Sequence, residues 1–157
     1  MPEHSTANKN PQTQPRSLGY KIKLLAQINH RRLQSILLPY GLTPFHWLVL
    51  RCLWRDNGLP VSEITERLQE AGGTMTGVLD RMEERGLIAR VKDPVDRRIW
   101  RIFLTKKGQE LEVELMPLVE RGRKRLTKGI NQKDLVVFER VMDQLMDNCK
   151  TILGENT

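Results

Sequence analysis

Apolar residues recur at helical spacing from the start of the ordered pattern: Leu18, Ile22, Leu25, Ile28, Leu33, Ile36 and Leu37. This predicts a helix over residues 18–38, ended by Pro39-Tyr40-Gly41. Thr43-Pro44 is a second start signal, because Thr caps and Pro suits the first helical position. The segment that follows is apolar on several sides (Trp47, Leu48, Leu50, Leu53), so this helix should be central and largely buried, closing at Asp56-Asn57-Gly58. Residues 60–68 then place Val61, Ile64 and Leu68 on one face, Ala71-Gly72-Gly73 reads as a turn, and residues 74–85 place Met75, Val78, Leu79 and Met82 at i, i+3, i+4 and i+7. A short helix, a glycine-containing turn and a second helix form a helix-turn-helix pattern.

The period then changes. Residues 87–91 read as a strand, and residues 100–104 alternate Trp100, Ile102 and Leu104 against Arg101 and Phe103. The polar loop KDPVDRR lies between them. A hairpin directly after a helix-turn-helix is a wing. Thr105 should cap a long helix to about residue 128, with Pro117 inside it predicting a kink. Asn131 should cap the last helix. There Leu135, Phe138, Met142, Leu145, Cys149 and Ile152 follow steps of 3, 4, 3, 4 and 3, a regular a/d seam that calls for a partner.

Composition narrows the class. The chain has 157 residues, one domain's worth, with 26 Lys and Arg against 19 Asp and Glu for a net +7. That balance leaves nucleic acid, anionic membrane surface or acidic protein as partners. No apolar run approaches the roughly 20 residues of a membrane span. Residues 1–17, rich in Pro, Gln, Asn and Thr, read as a flexible tail without a signal peptide, so a cytoplasmic protein with no membrane association is expected. Cys52 and Cys149 stand alone, with no zinc spacing, and suggest buried thiols that behave as small hydrophobes. His30, His46 and Cys52 could meet only by tertiary accident, so no metal and no cofactor is expected. No nucleophile–base set, phosphate loop or paired carboxylate cluster is visible, and no enzyme is expected.

Placing the charges sharpens the net figure. Residues 1–17 carry +1, residues 18–57 carry +5, residues 58–108 carry +2 and residues 109–157 carry −1. Residues 85–107 alone hold eight cations against Asp93 and Asp96. The excess falls on the end of the second helix of the helix-turn-helix and on the wing. That is the footprint of a DNA reader.

Four stretches carry a resemblance: LTPFHWLVL (42–50), TMTGVLDRMEERGLI (74–88), DPVDRR (93–98) and FLTKKG (103–108). In this order and spacing the chain resembles the MarR family of winged helix-turn-helix transcriptional regulators. The resemblance implies a mainly α fold with a small β-wing. Residues 43–108 would form the winged helix-turn-helix part, and residues 18–39 and 109–157 the N- and C-terminal dimerisation helices. It also implies a homodimer on a pseudo-palindromic operator, more often a repressor, in a family where many members are released by small phenolic ligands, metals or oxidants.

Candidate residues follow from both readings. On the recognition helix, Thr74, Thr76, Gly77 and Arg81 remain outward or borderline, and threonines suit phosphates or thymine methyls. Their bland role is local capping. Gly77 departs from the family, which often carries a larger basic side chain there. Either tight packing on the preceding helix or close approach to DNA would account for it. On the wing, Arg97 or Arg98 could enter the minor groove. The family's Asp braces the second arginine, which here pairs Asp96 with Arg98 and points to Arg97 as the inserted residue. Arg90, Lys92 and Arg101 would contact phosphates. Dimerisation is expected through Leu18, Ile22, Leu25, Leu135, Phe138, Met142, Leu145, Cys149 and Ile152.

The resemblance further implies an effector site between the winged part and the dimerisation helices. His30, Arg31, Tyr40, His46, Trp47 and Arg51 are the candidates for a small aromatic or anionic effector, with core packing and ordinary polar contacts as their bland alternative. A winged-helix protein-interaction module without DNA binding is the competing function. The intact DPVDRR loop speaks against it, because drift should erode those arginines.

Overall fold

The computed structural model describes residues 17–69 and 72–154. The tail expectation therefore lies outside the described residues, except at Ser17. That residue is not tail: its hydroxyl accepts from the Tyr20 N–H and caps the first helix. The chain divides into two compact units, residues 1–116 and 117–157.

In the first unit, α1 (Leu18–Leu37) passes into a short 3-10 turn, Leu38–Tyr40, where Gly41 adopts positive φ. α2 (Pro44–Arg55) begins as expected with Thr43 as its cap and Pro44 at its first position. The cap is reciprocal. Thr43 Oγ1 accepts from the His46 N–H, and His46 Nδ1 accepts from the Thr43 N–H, each at 3.2 Å. Histidine here takes the place of the usual Glu or Gln of a capping box. α2 is central, with Trp47, Val49, Leu50 and Leu53 all buried.

α3 (Val61–Leu68) has the expected bounds and is closed by Gln69 in the left-handed region. α4 (Gly72–Glu84) starts earlier than the glycine pair suggests. Gly72 and Gly73 form its first turn rather than the linker, because a helix end tolerates glycine when Met75, Leu79 and Met82 anchor the rest in the core.

The wing is a three-stranded antiparallel sheet of order β1-β3-β2: β1 (Leu59–Pro60), β2 (Ile88–Lys92) and β3 (Trp100–Leu104). β1 has no counterpart in the sequence reading, because two residues carry no periodicity. It pairs Leu59 with Ile102. Gly58 ahead of it has φ +84, and a Cβ there would lie 2.6 Å from the Phe103 ring, so only glycine fits. The alternation in β3 holds for Ile102 and Leu104, which are buried, and fails for Trp100, which is 42% exposed. Trp100 sits opposite Lys92, whose ammonium lies 4.9 Å from the ring centroid.

α5 (Lys106–Leu126) starts at Thr105, whose Oγ1 accepts from the Gly108 N–H and donates to the Gly86 carbonyl. A Cβ at Gly108 would meet the Leu87 carbonyl oxygen at 2.1 Å, which fixes glycine at this crossing of helix and hairpin. α5 passes through Pro117, where the two units divide in sequence.

In the second unit, α6 (Gln132–Leu153) starts at Asn131, whose side chain accepts from the Lys133 N–H. None of its side chains is buried. Cys149 is exposed and Cys52 half-buried, so the expectation of two buried thiols fails for Cys149. Among the described residues no single helix is long and apolar enough to cross a membrane.

Candidate nucleic-acid interface

The face of α4 that the core leaves free carries Thr74, Thr76 and Arg81 exposed and Gly77 half-buried. Thr76 Oγ1 donates to the Gly72 carbonyl at 3.1 Å, leaving its lone pairs available to a donor. Among the described residues, a Cβ at Gly77 would have only the tip of the Arg81 side chain within reach, at 4.0 Å. Tight packing on the preceding helix therefore does not account for this glycine.

The wing loop is organised by a residue outside the candidate set. Asp93 is buried, and its Oδ1 accepts from the Val95 and Asp96 N–H groups at 2.8 and 3.0 Å while its Oδ2 accepts from Arg101 Nε at 2.5 Å. The backbone donation from Asp96, with Arg101 and the Val95 amide behind it, holds the Asp93 carboxyl at a pKa of about 2. The readable signal was Asp-Pro at a turn, where an Asp side chain bonds amides two and three residues on.

Asp96 then does for Arg98 what the resemblance implied. Its carboxylate accepts from both the Arg98 backbone N–H and the guanidinium, at 3.0 to 3.2 Å, which pulls its pKa below the ordinary value. Arg98 is held in place with its side chain 91% exposed. Arg97 is exposed and makes no hydrogen bond or ion pair with any described residue.

Two expected phosphate contacts are occupied elsewhere. Arg101 is bound by Asp93 and donates to the Gly58 carbonyl at 3.0 Å. Arg90 reaches Asp80 Oδ1 at 2.6 Å and Glu83 Oε2 at 2.7 Å. Burial works against the Arg90 charge, and the bonds to Asp80 and Glu83 outweigh it, raising its pKa. Arg85, one of the eight cations counted in the basic window, donates to the carbonyls of Tyr40 and Gly41. Lys92 stays solvent-facing above Trp100. Between α3, α4 and the wing runs a cleft of about 600 Å³ whose walls include Ser62, Thr76, Arg98 and Trp100.

The six effector candidates are not gathered. Trp47 is core, packed edge-on against Trp54 with ring centroids 5.5 Å apart. His46 is buried in the helix cap, and burial, followed by the charges of Arg85 and Arg81, lowers its pKa. Tyr40 is half-buried and lends its carbonyl to Arg85. His30 and Arg31 line a hollow of about 550 Å³ on α1, and Arg51 lines a separate one of about 230 Å³ with Leu48, Cys52, Arg55, Arg67 and Leu68.

A helix-turn-helix with an arginine-tipped wing defines the class, a winged-helix transcriptional regulator. Residues 42–100 match the model of the MarR family. The chain is 26% identical over 129 residues to the uncharacterized HTH-type transcriptional regulator YsmB of Bacillus subtilis, covering 82% of this chain and 88% of that protein. It is 37% identical over 107 residues to the HTH-type transcriptional regulator TtmR of Methylorubrum extorquens, covering 68% of this chain and about half (55%) of that protein. Among solved structures it is similar to the transcriptional repressor CouR bound to a 23-mer DNA duplex. There the TM-score is 0.77 and the identity 27%, over 83% of this chain and 92% of that one. Residues 42–100 thus carry a MarR-family DNA-binding region, in a chain similar to transcriptional regulators along most of its length.

Proposed function

We propose that the protein is a cytoplasmic homodimeric repressor that binds a pseudo-palindromic operator and is released by a small aromatic or anionic effector. The observation that carries the DNA reading is the pairing of an unobstructed α4 face with a wing whose Arg97 is unpaired among the described residues. A recognition helix reads base edges in the major groove, and a guanidinium suits the negative potential of a narrow minor groove. Thr74, Thr76 and Arg81 take the major-groove role. Gly77 lets the duplex approach the helix backbone. Arg97 takes the minor groove, with Asp96 holding Arg98 beside it and Lys92 facing the phosphates.

Dimerisation is supported by the apolar faces that α1 and α6 leave open. Leu18, Ile22 and Leu25 are exposed on α1, and Phe138 and Ile152 on α6. The effector reading is supported by the basic linings at His30–Arg31 and at Arg51, where a carboxylate finds charge beside apolar wall.

The test is selection of duplexes from a random library by the full-length protein. The expected result is an enriched inverted repeat with half-sites about 10–10.5 bp apart, centre to centre. A reporter with that repeat across its promoter is expected to be silenced. No enrichment overturns the DNA reading, and an activated reporter overturns the repressor reading.

A further inference from the structure

Arg90 is the cation whose role the structure changes most. Asp80 and Glu83 lie three positions apart, on one face of the C-terminal half of α4. Arg90 projects to them from β2, the first long strand of the wing sheet. Its two Nη groups bond one carboxylate each, and its backbone N–H adds a third bond to Glu83 Oε1 at 3.1 Å. The Arg90 side chain is only 20% exposed, while its two partners are half open to solvent. This is a clamp across two elements and not a cation presented to a ligand.

The clamp sits where α4 needs it. The N-terminal half of α4 holds Gly72, Gly73 and Gly77 with Thr74, Thr76 and Val78, a run of weak helix formers. Its bearing is set on one side by the buried Met75, Leu79 and Met82, and on the other by what grips its outer face. Arg90 is that grip.

We propose that Arg90 is a positioning residue for DNA binding: it fixes the angle between the recognition helix and the wing, and it touches no phosphate. The proposal rests on the DNA-binding reading above. It makes an unusual demand on sign. Neutralising Asp80 and Glu83 removes two negative charges from the recognition helix, which electrostatics alone expects to tighten binding. If the pair exists to hold Arg90, binding weakens instead.

The experiment uses the full chain and the duplex that it selects itself, with binding measured by anisotropy across a salt series. Failure of the unaltered protein to enrich any duplex defeats the DNA reading and is seen before any variant is made. With an enriched duplex in hand, Arg90→Ala is expected to bind roughly tenfold more weakly, the scale of one lost half-buried charge pair, with an unchanged slope against log salt. Arg90→Lys, which keeps the charge and cannot span two carboxylates, is expected to match Arg90→Ala. Asp80→Asn/Glu83→Gln is expected to weaken binding by a similar factor and to add nothing in the Arg90→Ala background. Tighter binding by the double variant, wild-type affinity in Arg90→Lys, or a slope reduced by about 0.9 in Arg90→Ala would each overturn the proposal in favour of a phosphate contact. Circular dichroism on every variant separates lost folding from lost bearing, and Arg90→Lys keeps the question decidable should Arg90→Ala fail to fold.

Discussion

Arg97 and Arg98 are neighbours of the same type with different partners. Arg98 is held by Asp96, and Arg97 has no hydrogen-bond or ion-pair partner among the described residues. A free guanidinium that gains a groove should carry both affinity and salt dependence. Arg97→Ala is therefore expected to weaken operator binding and to lower the salt slope by about 0.9, read from anisotropy titrations. Its melting temperature should not change, because no bond is lost. Gly77 invites the opposite substitution. Its helical backbone and open Cβ direction accept alanine, so Gly77→Ala is expected to stabilise the fold by up to about 1 kcal/mol in urea unfolding. The added methyl would stand off the duplex and weaken operator binding. An alanine variant that is both more stable and equally tight would remove the close-approach account of this glycine.

At the scale of elements, two local devices depend on pH. The wing turn closes on an ionised Asp93. With its folded carboxyl at about 2 against an ordinary 3.8, its stabilisation is complete above 3.8 and is lost as pH falls toward 2. The stability difference between wild type and Asp93→Asn, from urea unfolding, is expected to shrink across that window. The α2 cap depends on a neutral His46. Its folded pKa lies below 6.5, so the unfolded chain takes up the proton first, and stability is full above 6.5 and falls as pH drops below it. His46→Gln keeps a capping-box acceptor and is expected to flatten that dependence. The helices, the Thr43, Thr105 and Asn131 caps and the wing hairpin were legible in the sequence, because capping and amphipathic periodicity are local, while the Ser17 cap and the glycine start of α4 were not. The roles of Arg90, Arg101, His46 and Asp93 were only partly legible. A cation is visible in the sequence, but the carboxylate or carbonyl it meets lies across a tertiary contact. Of the eight cations between residues 85 and 107, Arg85, Arg90, Arg98, Arg101, Lys106 and Lys107 have hydrogen-bond or ion-pair partners within the fold. The local +6 therefore overstates what faces a ligand.

At the scale of the whole molecule, α6 requires explanation. It spans Gln132–Leu153, keeps an unbroken a/d seam, and buries none of its side chains in the single chain. Phe138 is half exposed and Ile152 is 82% exposed. Apolar surface on that scale, regular over six a/d positions, supports the proposed interface over a scatter of surface residues. A specific dimer typically buries roughly 1,200–2,000 Å². Such an interface would set two α4 helices and two wings on one duplex, and the affinity of the pair would exceed that of one site by about a hundredfold or more. Because Phe138 lies on the open side of α6, a charge there meets water in a lone chain and an apolar wall in a dimer. Phe138→Glu is therefore expected to leave the helical circular dichroism spectrum intact, to sediment as a monomer, and to lose operator affinity by about that hundredfold factor. A Phe138→Glu protein that still sediments as a dimer and binds its operator at full strength would move the interface away from this seam. The apolar face of α6 would then need another partner.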